Sequence, residues 1–325
     1  MTRYRRQIEA ALRAGHVVSP TAFTWFGRRS RPLSRALVPA LAPELVRELL
    51  IDGLQDVLYG SFYTQGRPVP AGLDGSPGRT DRAFVAALSQ ANAGSGGWEP
   101  GWRVDRVEHG TAQVVRRGLR AHVDLRDCRG GGDVVSVRRS KETLHGSPGF
   151  YMALGDREPA AGPEGIEERV YFNVGAQGAL RLVAGCTRVL NDAGIAFDLK
   201  VLDAPGGTAR CDAAVLYLDR GGFRRAREAL RAIVAACGAH VYGDAPAFAR
   251  PLAPGVSVAE HAPALGASFG ASRCRLLAEG IVAARERGAT RLQDRLDEVA
   301  RRFAEHGLDV DAPYRAPGSA ERYAL

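Results

Sequence analysis

The chain has 325 residues, 45% of them hydrophobic and 25% charged, with a formal net charge of +8; this is ordinary for a folded protein of two domains, or of one domain with a long extension. No apolar run reaches the roughly 18 residues of a membrane span, and the N-terminus MTRYRRQIEAALRAGHVV lacks an apolar signal core and cleavage site, so the protein is read as cytoplasmic with no membrane partner. Cys128, Cys186, Cys211, Cys237 and Cys274 are an odd number without CxxC or Cys/His clustering, which argues against a disulfide framework and a metal site, and no cofactor is expected.

The charge favours an anionic partner, whether nucleic acid, a phosphorylated molecule or an acidic peptide. Pairs such as Arg28-Arg29, Arg116-Arg117, Arg138-Arg139, Arg224-Arg225 and Arg301-Arg302 are scattered rather than gathered in one arm. That argues against a nucleic-acid tail.

Residues 1–60 read as helical, with Leu37, Val38, Leu41, Leu45, Val46, Leu49, Leu50 and Leu54 at helical spacing behind a cap candidate, Ser34. GRPVPAGLDGSPGR, residues 66–79, is an exposed loop. A helix follows from Asp81 to Asn92 and stops in AGSGG, ahead of WEPGW. Such glycines allow close approach to an anion, but the spacing matches neither a P-loop nor a dinucleotide fingerprint. A helix C-cap leading into a loop pinned by Trp98 and Trp102 explains them better. Asn92, Ser95 and Trp98 are kept only as candidates for a peptide groove.

WRVDRVEHG, TAQVVRRG, LRAHVDLR and DVVSVRR alternate apolar and polar residues between Gly-rich turns, predicting an antiparallel meander with one wet face. FYMALG and RVYFNV then read as strands, Ala176 to Ala193 as a helix closed by Gly194, FDLKVL and DAAVLYL as strands, and Phe223 to Cys237 as a helix. Pro246 to Pro263 reads as a Pro-rich crossing segment, Ser272 to Glu286 and Thr290 to His306 as helices, and the tail from Asp309 as irregular. The fold class is α+β: an N-terminal helical region over 1–80, a helix plus β meander over 81–145 continuous with the core, and a C-terminal mixed α/β core over 146–325.

Among 44 Lys plus Arg, only Lys141 and Lys200 are lysines. Arginine does not release its proton in a protein, whereas lysine does when its pKa is depressed, so Lys200, set among Phe197, Leu199, Val201 and Leu202, is a candidate general base. A surface lysine on an edge strand is the competing reading. Strand alternation puts Arg169, Tyr171 and Asn173 on one face. Lys200, Arg210 and Tyr217 from neighbouring elements, with Arg273 near the start of a helix after Ser268-Phe269-Gly270, would complete a phosphate pocket.

In their order, GFYMALGD, RVYFN, FDLKVLDAP, ARCDAAVLYL and SFGASRCRLLAEG resemble the HopA-type effector family, named from plant-pathogen type III secretion, over roughly Asp81 to Arg285. Members also occur beside lanthipeptide and thioamide peptide gene sets as lyase components, and are similar to phosphothreonine lyases. The resemblance implies a lyase-like core that eliminates phosphate from a phosphorylated precursor peptide, leaving dehydroalanine or dehydrobutyrine. It casts Lys200 as the base, Arg169, Arg210 and Arg273 as the phosphate clamp, Tyr217 as a supporting phenol and Tyr171 as the acid, where the lyases carry histidine. His145 is the reserve acid, and Asn173 joins the peptide-binding candidates. A base at Lys200 needs its pKa brought from about 10.4 toward about 7 to 8, a cost of about 4 kcal/mol.

No GxxxxGK, HRD or DFG is present, so a separate kinase is the expected partner. The alternative is a non-catalytic phosphopeptide-binding or effector-type interaction protein, favoured by the missing histidine. Nucleic-acid binding is a weaker third reading with no specific sequence expected, and strongly salt-dependent binding to generic DNA would support it.

Overall fold

The computed structural model describes residues 1–32, 38–71, 80–159, 165–204, 210–265, 268–320 and 323–325, with the side chains of Val38, His145 and Pro263 outside the description. The Ser34 cap candidate therefore lies outside the described residues, and the side chain of the reserve acid His145 lies outside the description.

The N-terminal region is not wholly helical. Helix α1 (Arg3–Ala14) runs into a small antiparallel sheet of β1 (Gly15–Ser19), β2 (Ala22–Trp25) and β3 (Arg28–Arg29) before α2 (Pro43–Leu58). HVVS and AFTW carry β-branched and aromatic residues on either side of a Pro20-Thr21 turn, which local propensity favours as a hairpin. Helix α2 passes directly into a π-helical turn, Tyr59–Tyr63. Next comes α3 (Arg82–Ala91), whose Asp81 cap accepts from the backbone N–H groups of Ala83 and Phe84 at 3.0 and 3.1 Å.

The expected meander is present as five antiparallel strands: β4 (Gly97–Glu108), β5 (Thr111–Arg116), β6 (Leu119–Asp124), β7 (Cys128–Arg129) and β8 (Val134–Arg139), in the order β6-β5-β4-β8-β7. It buries its own small cluster of Trp102, Ala112, Val114, Val135 and Val137.

The core sheet has seven strands. These are β9 (Glu142–Ser147), β10 (Phe150–Leu154), β11 (Glu167–Phe172), β12 (Asp198–Leu202), β13 (Ala214–Asp219), β14 (Arg250–Ala253) and β15 (Val256–His261), in the order β14-β15-β11-β13-β12-β10-β9. Among the described residues every ladder of this sheet is antiparallel, without a parallel α/β crossover, and the fold is α+β. The segment read as a Pro-rich crossing holds β14 and β15, and β15 pairs with β11 along its whole length. All six β15 residues are buried, which removes the polar alternation that marks a strand in sequence.

Helices α4 (Ala176–Gly185) and α5 (Gly222–Cys237) pack on one face of this sheet, where Leu182, Val183, Phe223, Leu230 and Ile233 join the core. The opposite face is covered by α6 (Phe269–Glu286), buried nearly all round as the central helix of a layer must be. Helix α2 and α7 (Leu292–Glu305) pack against α6, and α1 against α7. One continuous core links Tyr4 to Tyr323. No helix among the described residues is long and apolar enough to cross a membrane, and all five cysteines are free thiols.

Candidate active site

Register decides which side chains meet. Lys200, Val215, Tyr171 and Ser257 form one transverse row across β12, β13, β11 and β15, and Asp198, Tyr217, Arg169 and Ala259 form the next. Alternation places both rows on the face covered by α6. With strands about 4.8 Å apart, Lys200 and Tyr171 are about 10 Å apart at the backbone. The sheet thus brings Lys200, Arg169, Tyr171 and Tyr217 together.

Lys200 is half-buried. Its Nζ stands 3.8 Å from the centre of the Phe150 ring, and among the described residues it makes no hydrogen bond or ion pair. Burial pushes its pKa down, the Arg210 and Arg169 charges push the same way, and Asp212 opposes them. Lys141, the other lysine, is spoken for: its Nζ donates to the carbonyls of Ser89 and Asn92 at 3.1 and 3.0 Å, closing the end of α3.

Each arginine has an internal partner. Arg169 donates its Nε to Glu167 at 2.6 Å and lies 5.2 Å from the Tyr217 ring centre. Arg210 makes a two-pronged pair with Asp212, 2.9 Å on both prongs, and flanks Tyr59 and Phe150 at 5.9 Å each. Arg273 differs from the expected phosphate ligand, being fully buried. Its guanidinium donates to the Pro313 and Arg315 carbonyls at 2.8 and 3.0 Å and to Ser272 Oγ at 3.2 Å. It ties the C-terminal tail to α6, and burial lowers its pKa to about 10. Its charge still bears on Tyr171 and Arg169. Among the described residues, Lys200, Arg169, Arg210 and Arg273, with the Arg139 that pairs with Asp198, outnumber the three carboxylates Glu167, Asp212 and Asp198 and leave this face net positive.

Tyr171 is buried, its ring centre 6.2 Å from that of Phe269. Burial raises its pKa, against which the Arg169 charge and the Tyr63 hydroxyl act. Tyr217 is raised likewise, chiefly by burial. Both are neutral phenols over the working range.

The peptide-groove candidates are placed elsewhere. Asn92 caps α3 on the other side of the sheet, its Nδ2 donating to Lys141 O and Tyr151 Oη at 2.9 Å each. The glycine-rich stretch does cradle an anion, but an internal one: the backbone N–H groups of Ser95 and Gly96 donate to Asp156 Oδ1 and the Ser95 hydroxyl to Asp156 Oδ2. A Cβ on Gly97 would stand 2.0 Å from the Asp156 carbonyl oxygen, so this tight packing demands glycine. Trp98 lies on β4 of the meander under the Arg129 guanidinium, 3.8 Å from the ring centre. Asn173 donates to the Asp244 carbonyl at 3.1 Å, fastening the end of its strand.

Several residues on this face were not singled out from the sequence. Tyr59 and Tyr63 come from the π-helical turn and stack at 5.2 Å. The turn is stitched to the core through Cys211 N–H to Thr64 O at 2.7 Å and Ala247 N–H to Tyr63 O at 2.9 Å, which sets Tyr59 beside Arg210. Their i, i+4 spacing was the available signal. Asp212, two residues after Arg210, is another. On β15, Ser257 Oγ and His261 Nδ1 are buried without hydrogen-bond partners among the described residues. Burial, with the Arg169 and Arg273 charges, lowers the His261 pKa to about 4. At the end of β8, Arg139 pairs with Asp198, whose carboxyl burial nonetheless raises to about 6.

This combination is an antiparallel sheet that gathers a lysine without a partner among the described residues, arginines and tyrosines on one face of an α+β protein. The chain matches the HopA1 effector protein family over residues 144–315, more than half of its 325 residues, and it belongs to that family. The match begins after the meander and reaches into the tail, later at both ends than the sequence motifs suggested. It is similar to the effector protein from Pseudomonas syringae pv. tomato strain DC3000, with 16% identity, a TM-score of 0.46 and coverage of 82% of this chain and 94% of that one. It is also similar to the effector protein from Pseudomonas syringae pv. syringae strain 61, with 18% identity, a TM-score of 0.43 and coverage of 74% and 85%. No curated protein matches the chain.

Proposed function

We propose that this protein is a carbon-oxygen lyase that eliminates phosphate from phosphoserine or phosphothreonine in a precursor peptide, leaving a dehydroamino acid as in lanthipeptide-like biosynthesis. The observation that carries the reading is Lys200, a half-buried lysine with no internal partner among the described residues and a depressed pKa, on the same face as Arg169 and beside Arg210. Neutral Lys200 takes the Cα proton, the Cα–Cβ double bond forms, and the Cβ–O bond breaks with its electron pair leaving on phosphate. Arg169 and Arg210 hold the phosphate oxygens, and their charge stabilises what develops there. Tyr171, with Arg169 and Tyr63 beside it, returns a proton in this reading. The phosphorylated peptide comes from a separate kinase.

Incubation with a phosphoserine peptide, followed by mass spectrometry, should show loss of phosphoric acid, and Lys200→Ala should abolish it, since removal of a general base costs about 100-fold or more. Equal elimination by wild type and Lys200→Ala sinks the mechanism. Phosphopeptide binding without elimination would instead support the non-catalytic reading, which Arg273's commitment to tail carbonyls favours.

A further inference from the structure

A cavity of about 450 Å³ lies between α3 and the β9–β10 edge of the core sheet, with Phe150 in its wall. Asp203, only 5% exposed, is part of its wall. Asp203 Oδ2 accepts from the Thr80 hydroxyl at 2.8 Å, while its Oδ1 is buried with no partner among the described residues. A buried carboxylate oxygen with nothing to accept from costs as much as a lost hydrogen bond or more, unless a ligand supplies the donor. A second carboxylate, Glu142, lines the cavity and is steadied by Ser89 Oγ and Tyr151 Oη at 2.8 and 2.7 Å. The Thr80–Asp203 pair and the Ser89–Glu142 pair flank the α3 segment from Arg82 to Ser89, about 10 Å of helix. Between them the walls include Val85, Ala86, Leu144 and Phe150. The exposed Arg82 is the one cation of the lining among the described residues. In a chain of net charge +8, this hollow is net acidic, apolar along its walls and short of one donor.

We propose that the cavity is a subsite for a cationic side chain, an ammonium or guanidinium on an aliphatic stem, carried by the peptide that presents its phosphorylated residue to Lys200. This deepens the lyase reading and rests on it for the second half of the ligand. Phe150 joins the two sites: it lines the cavity, and its ring centre is 3.8 Å from Lys200 Nζ. An extended peptide advances about 3.3 Å per residue, so the three positions on either side of the phosphorylated one span about 10 Å each way. The anion meets arginines and the cation meets Asp203, so the two charges of the peptide are read at separate places.

The test uses the full chain carrying Lys200→Ala, so that bound peptide is not turned over, and measures dissociation constants by fluorescence anisotropy. The probes are peptides with lysine or its uncharged isostere norleucine at each of the three positions on either side of a serine, each phosphorylated and unphosphorylated. At one position lysine should bind about tenfold tighter than norleucine, the size expected of a charge-assisted hydrogen bond. The preference should appear in both phosphorylation states and fall to within about twofold on adding Asp203→Asn, which keeps an acceptor for Thr80. Ala86→Phe, at an exposed helix position that borders the cavity, should close it and give the same loss without touching Asp203. No preference for lysine at any position, or a preference that survives both variants, overturns the proposal. A lysine preference without any gain from phosphorylation leaves the cavity standing and refutes the phosphate site instead.

Discussion

Gly270 sits on α6 against the Tyr63 ring, and replacing it with alanine sets two known effects against each other. A Cβ there would stand 2.3 Å from Tyr63 Cε1, 2.4 Å from Cζ and 2.7 Å from Cδ1. Carbon atoms pack at about 3.5 Å or more, so the ring must retreat by about 1.2 Å. It has little room to do so, being 2% exposed, stacked on Tyr59 and held through its backbone by Ala247. Overpacking of this kind costs about 1–3 kcal/mol, whereas glycine to alanine within a helix gains about 1 kcal/mol. With so enclosed a ring the clash wins, and Gly270→Ala should lose about 1 kcal/mol or more, read as a lower urea midpoint at unchanged slope. It should also slow elimination, because Tyr63 backs Tyr171. Gly280→Ala, whose Cβ would stand 2.7 Å from Val299 Cα on α7, is the control: it should destabilise while leaving elimination per folded molecule unchanged. A Gly270→Ala protein that gains about 1 kcal/mol and keeps full activity would refute the reasoning, since helix propensity alone predicts that gain.

Asp212 is the charge that raises the Lys200 pKa against burial and the arginines. Asp212→Asn should therefore move the rising limb of the elimination rate to lower pH, and a shift upward contradicts the assignment of Lys200 as base; about 3–5 kcal/mol of stability goes with the broken buried pair, so rates are compared where the variant is folded. Lys141→Met removes two bonds at the end of α3 and should cost about 2 kcal/mol in urea denaturation with elimination per folded molecule unchanged. His261 has a folded pKa near 4 against 6.5 unfolded, so the unfolded chain binds the extra proton and stability is lost as pH falls through that window. The full loss is about 3 kcal/mol, and His261→Phe should flatten it. Asp198, raised to about 6, acts in the opposite sense and is common to both proteins, so it cancels in the difference.

Much of the core was legible because its signals are local. The alternation of RVYFNV and DAAVLYL and the rarity of lysine both survive without neighbours. Strand β15 was hidden by the same burial that makes it central, since VSVAEH lies between prolines and shows no wet face. Tyr59 and Tyr63 sit in a stretch with no family resemblance, and only the docking of α2 on α6 carries their rings to the sheet. The Asp156 cradle shows the converse case: glycines suited to an anion close on a carboxylate sixty residues away in sequence.

The residues alone determined that proton removal, if this face performs it, falls to lysine rather than arginine, and that two lysines are available, because chemistry of that kind depends on residue type. Choosing between them required the tertiary structure. Lys141 donates to helix carbonyls, while Lys200 is set by antiparallel register on the face that holds Arg169 and beside Arg210. Register and packing act between distant segments, and no local pattern in the chain encodes which side chains they leave without a partner.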